Sequence, residues 1–148
     1  MSHSSDFFEL VRAIGETKSK QEEDKIILKE VSKLKQLMAT KNVKPTLMKE
    51  YLIRALYCEM LGHPADFAYS NAIFLTSSTN CLQKRVGYLA VSLCLPNTSE
   101  LMLLLIATIQ KDLKSTNFLE VSAALTATSK VMTIVFKFIK KRKLYLHF

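Results

Sequence analysis

Three glycines and three prolines are the only strong turn-formers in 148 residues, and this scarcity constrains the fold more than any other feature. A β-sandwich needs a turn signal about every ten residues, so a chain this poor in them is built of helices. Where the six fall is equally informative. Pro45 suits the first turn of a helix, and Leu61-Gly62-His63-Pro64 places glycine just past a helix end with proline soon after. Gly87 is different. It interrupts KRVGYLAVSL, residues 84–93, where glycine costs about 1 kcal/mol relative to alanine. Something at that point requires a bare backbone.

Capping signals divide the rest of the chain. Ser19 with Glu22 forms a capping box ahead of a long amphipathic helix over 19–39, in which Ile27, Val31, Leu34 and Met38 form the apolar stripe. Lys25, Lys29, Glu30 and Lys33 form its charged face. A short helix is expected over Asp66–Ser77, with Phe67, Ala72, Ile73 and Leu75 buried. Asn80 with Gln83, Asn97 with Glu100 and Asn117 with Glu120 repeat one device, a short polar N-cap and a partner three residues on. The chain therefore reads as about seven helices joined by short turns.

Starts near Pro45, Asn80 and Asn117 recur at intervals of about 36 residues, each opening a helix–turn–helix unit. Such a period predicts an all-α, right-handed α-solenoid of HEAT or armadillo type. In a solenoid each first helix is squeezed between its partner and the neighbouring repeats. Gly87, with Ala90 one turn later, is then a helix-packing position that lets backbones approach, and no further role for the glycine is needed.

The net charge of +8 is unevenly placed. Residues 131–148 hold Lys137, Lys140, Lys141, Arg142 and Lys143 without an acid, so the body of the chain is nearly balanced and no nucleic-acid partner is expected. Cys58, Cys81 and Cys94 form no CxxC and no zinc pattern, and read as buried, reduced thiols of a cytosolic protein. No apolar stretch approaches the roughly 18 residues of a membrane span, and the N-terminus lacks signal-peptide organisation; a soluble chain is expected. GxxxxGK[ST], GxGxxG, GxSxG and HExxH are all absent. Cys58 and His63 flank a helix stop and do not read as a catalytic pair. Glu22-Glu23-Asp24 sits in a helix first turn, where the dipole favours carboxylates, and reads as capping and solvation, not a metal site. No enzyme and no cofactor are expected; helical solenoids present surfaces to other macromolecules.

Four stretches point to a family: LVRAIGETKSKQEEDKIILKEV (10–31), MKEYLIRALYCEMLGHPADFAY (48–69), LQKRVGYLAVSL (82–93) and IQKDLKSTNFLEVSAAL (109–125). In order and spacing they resemble the N-terminal trunk of adaptins, the large subunits of vesicle-coat adaptor complexes. The combination of KRxGYL with KDLxSxN is specific to that family. The resemblance covers about residues 8–130 and stops short of a full trunk, so two segments are expected: a trunk portion, 1–130, and a divergent, basic, helical tail, 131–148. It implies a binding subunit without catalysis, acting in intracellular protein transport and cargo sorting at the trans-Golgi network. The implied partners are small sigma, medium and beta-type adaptor subunits and an Arf-family GTPase, with peripheral membrane association.

In a related subunit type a basic cluster binds phosphoinositide headgroups. Aligned on the LGH stop, it falls on Met48, Lys49, Glu50 and Tyr51, where only Lys49 and Tyr51 match; a methionine and a glutamate stand in place of lysines. Lys41, Lys44, Lys49 and Tyr51 are the candidate contacts to an anionic membrane; the same lysines also read as an ordinary solvated helix end.

The tail allows a second reading, a free-standing helical-repeat protein that binds anionic membrane or nucleic acid through KFIKKRKLYLHF. A solenoid end also needs a polar outer face. The unit opened at Asn117 is expected to draw a second helix from 131–146, leaving an apolar patch around Leu125, Val131, Ile134 and Phe138 and a tendency to self-associate.

Overall fold

The computed structural model describes the backbone of residues 4–94 and 100–145 and the side chains of residues 5–93, 101–129 and 131–133. Among the described residues the chain is all helical: α1 (Ser4–Gly15), α2 (Lys20–Ala39), α3 (Pro45–Met60), a 3₁₀ turn at Asp66–Ala68, α4 (Tyr69–Thr76), α5 (Cys81–Cys94), α6 (Glu100–Leu113) and α7 (Phe118–Tyr145). The expected Asn97–Glu100 cap and the side chains of Cys94, Ile134, Phe138 and the tail cations lie outside what is described.

The helix ends follow from their capping residues. Ser19 has extended backbone, φ −144° and ψ 152°, and its Oγ accepts from the Glu22 N–H at 3.3 Å. The Glu22 carboxylate accepts from the Lys18 N–H at 3.0 Å, one residue ahead of the cap itself. At the end of α3, Gly62 takes φ +90°, its N–H donates to the Glu59 carbonyl at 2.9 Å and the His63 N–H to the Cys58 carbonyl at 3.0 Å. That pair of bonds is a Schellman motif, which needs a left-handed residue where Gly62 stands.

The third start signal differs from expectation. A single helix, α7, runs from Phe118 to Tyr145, without the turn expected before a second helix at 131–146. The reason lies in composition: residues 118–145 contain neither glycine nor proline, so nothing there terminates a helix once Asn117 has started it.

α5 is the hub of the packing, lying against α3, α4 and α7. One contiguous core joins Leu34 of α2, Leu52 of α3, Ile73 and Leu75 of α4, Val91 of α5, Leu105 of α6 and Ala127 of α7. A smaller cluster of Ile27, Val31 and Cys58 seals α2 onto α3. At the crossing of α5 with α4, a Cβ built on Gly87 would lie 2.7 Å from the Thr76 nitrogen and 2.9 Å from the Ala72 oxygen and the Leu75 carbonyl carbon. Backbone meets backbone there, and Ala90 is fully buried. α1 is pinned by burial of Leu10 and by Phe7 edge-on to Tyr57, with ring centroids 5.6 Å apart.

No described helix is long and apolar enough to cross a membrane. Cys58 is buried and unpaired, whereas Cys81 is only half-buried at the start of α5, a correction to the expectation of buried thiols.

Candidate interaction surface

Two helix starts share one construction. Asn80 Oδ1 accepts from the Leu82 and Gln83 N–H groups at 3.0 and 3.3 Å, and Asn117 Oδ1 accepts from the Leu119 N–H at 3.0 Å. Gln83 and Glu120 do not reach back to the cap N–H as in a capping box. Instead a serine two residues before each cap accepts from the cap N–H, at 3.1 Å in both cases, and donates to Gln83 or Glu120.

Glu120 is thereby held beside a buried cation. Lys84 of α5 places its Nζ 2.7 Å from Asp112 Oδ1 and 3.1 Å from Glu120 Oε1, and the Tyr88 hydroxyl donates to Asp112 Oδ2 at 2.6 Å. Lys84 and Asp112 are only 5% and 2% exposed. Burial works against the charge on Lys84, but its bonds to Asp112 and Glu120 outweigh that and raise its pKa. The Ser115 hydrogen bond, then Lys84, holds Glu120 below the usual carboxylate range. Burial, with the bond to Asp112, pushes the Tyr88 hydroxyl far up. The network stitches the end of α6 and the start of α7 to α5. Lys84 and Tyr88 come from KRVGYL and Asp112 and Ser115 from KDLKSTN, two segments distant in sequence that meet here, with Glu120 just beyond the second.

A second buried cation sits at the other end. Arg54 of α3, 2% exposed, pairs with Glu30 Oε1 at 2.7 Å and lies 3.7 Å from Asp6 Oδ2. Glu30 is therefore drawn off the solvated face expected for it and turned inward. Burial, reinforced by Glu30 and opposed by Arg54, pushes the neighbouring Cys58 thiol up to about 11. The acidic triplet is engaged residue by residue: Glu22 caps α2, Glu23 pairs with Lys20 at 2.7 Å and Asp24 meets His63 Nε2 at 3.0 Å. His63 thus faces Asp24 and not Cys58.

The candidate membrane contacts differ in their surroundings. Lys41 and Lys44 are exposed in the α2–α3 turn, Lys49 pairs with Glu50 at 2.9 Å, and Tyr51 lies under the Arg54 guanidinium, 5.4 Å from its ring centroid. What the surface offers instead is a groove of about 540 Å³ over α5, walled by α3 and α7. Ile53, Leu82, Leu89 and Leu119 contribute to it, and its two charged residues are Lys49 and Arg85. No group of metal-ligating side chains occurs among the described residues.

Sequence reasoning missed both the Lys84–Asp112–Tyr88 cluster and the groove. The signal for the cluster is the joint occurrence of KRxGYL and KDLxSxN, but nothing in one sequence states that they touch.

Comparison with known proteins fits this geometry. The family profile described as Adaptin N terminal region matches residues 23–134. The chain is 48% identical over 129 residues to the AP-4 complex subunit epsilon of Arabidopsis thaliana, covering 87% of this chain and 14% of that protein. It is 49% identical over 130 residues to the human AP-4 complex subunit epsilon-1, covering 88% of this chain and 11% of that protein. The AP-2 complex subunit alpha of Schizosaccharomyces pombe is 36% identical over 110 residues, 74% of this chain. The chain thus spans only a small part of the length of these relatives. It belongs to the adaptin family, matching the N-terminal region of that family.

Proposed function

We propose that the chain acts as a non-catalytic binding subunit of a vesicle-coat adaptor complex in intracellular protein transport. One observation carries the reading: similarity of 48–49% to AP-4 epsilon subunits over 87–88% of the chain. On this reading the helical body packs against a small sigma subunit. Medium and beta-type subunits and an Arf-family GTPase complete the assembly, peripheral on trans-Golgi membranes, where it sorts cargo. Residues 1–130 form the trunk portion and 131–148 a divergent basic tail. Gly87 and Ala90 serve packing. Of the candidate membrane contacts, Lys41 and Lys44 are exposed and supply a weak, salt-sensitive attraction to an anionic surface. Lys49 and Tyr51 are engaged within the chain.

The test is co-precipitation of the full chain with the small sigma subunit of the fourth adaptor complex, with a longer epsilon trunk as positive control. Retention of sigma by both is expected. Retention by the longer trunk alone overturns the assignment of that contact to this chain.

A further inference from the structure

α5 carries an apolar stripe that the core does not use. Tyr88, Ala90 and Val91 face inward and are buried, while Leu82, Leu89 and Leu93 remain 62%, 54% and 45% exposed. With half-buried Val86 between them, these residues recur at spacings of four, three and four. That is the seam of a helix that packs lengthwise along another helix. The seam floors the groove between α3 and α7. The α7 wall begins at Leu119 and continues with Ser122, Ala123, Thr126 and Ala127, whose small side chains leave room beyond Leu119 for a third backbone to come close.

We propose that this groove docks an amphipathic helix of another protein, one whose apolar face is flanked by acidic side chains. The length of the seam and the small-residue wall specify a helix; the charge specifies its flanks. Lys49 and Arg85 are the groove's charged residues and no acid lines it; Lys49 is paired with Glu50 at 2.9 Å, so the charge that selects the flanks is that of Arg85. Arg85 is exposed and forms no ion pair among the described residues. The tail of a second copy has the wrong sign, since Lys137, Lys140, Lys141, Arg142 and Lys143 stand there without an acid. A bilayer surface has the wrong shape, because the apolar residues form the floor of a concavity. The proposal rests on the groove alone and does not require the coat-subunit reading.

The experiment titrates the full chain into a fluorescent model helix with leucine at heptad positions a and d and glutamate at e and g, following anisotropy. A matched peptide with lysine at e and g is the comparison. Saturable binding of the glutamate peptide, about tenfold tighter than the lysine peptide, is expected. Leu89→Asp weakens it about tenfold or more, and Arg85→Glu reverses the preference between the peptides. Leu103→Asp changes neither; Leu103 is 74% exposed on α6 and outside the groove. Circular dichroism of each variant checks that helix content is kept. The proposal is overturned by absence of saturable binding, by equal binding of the two peptides, or by an equal loss with Leu103→Asp. It is also overturned if Leu89→Asp abolishes a dimer of the free chain in sedimentation, which assigns the groove to a second copy. Loss of flotation with phosphatidylserine vesicles in that variant overturns it in favour of a membrane.

Discussion

Replacing Gly87 with alanine adds one methyl group where α5 crosses α4. The new carbon would sit 2.7–2.9 Å from three backbone atoms of Ala72, Leu75 and Thr76, against an ordinary contact distance of about 3.5 Å. Relief requires α5 and α4 to separate by roughly 0.7 Å, because backbone atoms cannot rotate aside as a side-chain tip can. α4 has little freedom to yield: Ala72, Ile73, Leu75 and Thr76 are essentially fully buried, and the Thr76 hydroxyl is bonded to the Ile73 carbonyl at 2.6 Å. Overpacking of this kind costs about 1–3 kcal/mol, and separation forfeits dispersion contacts along the whole crossing. Alanine returns about 1 kcal/mol of helix propensity. The balance is a loss of about 1 kcal/mol with the forfeited dispersion added to it, measurable against a stability near 5–15 kcal/mol. Urea unfolding followed by far-ultraviolet circular dichroism measures it as a lowered midpoint at unchanged slope. Gly15→Ala is the internal control, since a Cβ there meets nothing within 4 Å; it should be neutral or slightly stabilising. If Gly87→Ala is as stable as Gly15→Ala, the close-approach explanation of the glycine is wrong.

Three further outcomes follow from the buried charges. Cys58 has its pKa raised to about 11 from 9.0, so it contributes stability that is intact below pH 9 and lost as pH rises toward 11. That loss amounts to about 2–3 kcal/mol, and alkylation mapped by mass spectrometry at pH 8 should label Cys81 well before Cys58. Glu30→Gln should destabilise the chain by about 3 kcal/mol in urea, because Arg54 then keeps only Asp6 at 3.7 Å. The same variant should speed Cys58 alkylation, since Glu30 helps to raise that thiol. On the acid side, Glu120 has a lowered pKa, so its contribution is present above the ordinary glutamate value and is lost as pH falls. Glu120→Gln should flatten that part of an acid titration followed by circular dichroism.

Legibility in the sequence tracked locality. Ser19, Pro45, Gly62, Asn80 and Asn117 mark helix ends because capping is decided within a few residues, and α2, α3 and α5 start or stop where those residues stand. Residues that act across the chain were not legible. Glu30 reads as one charge among several on an amphipathic face until α3 places Arg54 beside it. Nothing within KRVGYL names a partner for Lys84 until Asp112 arrives from α6. The unbroken α7 was misread because a repeat period implied a turn that the composition of 118–145 does not supply. The groove needed three helices in place before the seam of α5 could be seen as unpartnered.

The central claim is that KRVGYL and KDLKSTN act as one buried unit that fixes α5 as the hub from which the binding surface is built. A double-mutant cycle on Lys84→Met and Asp112→Leu, read by urea unfolding, tests it most directly. Lys84→Met leaves an Asp112 that is 2% exposed with only the Tyr88 hydroxyl for a partner, a loss of about 3–5 kcal/mol. Asp112→Leu costs less, because Lys84 keeps Glu120 at 3.1 Å. The double variant removes both charges and should recover part of the loss, with a coupling energy of about 2 kcal/mol. Additive effects, with coupling below about 0.5 kcal/mol, would contradict the account.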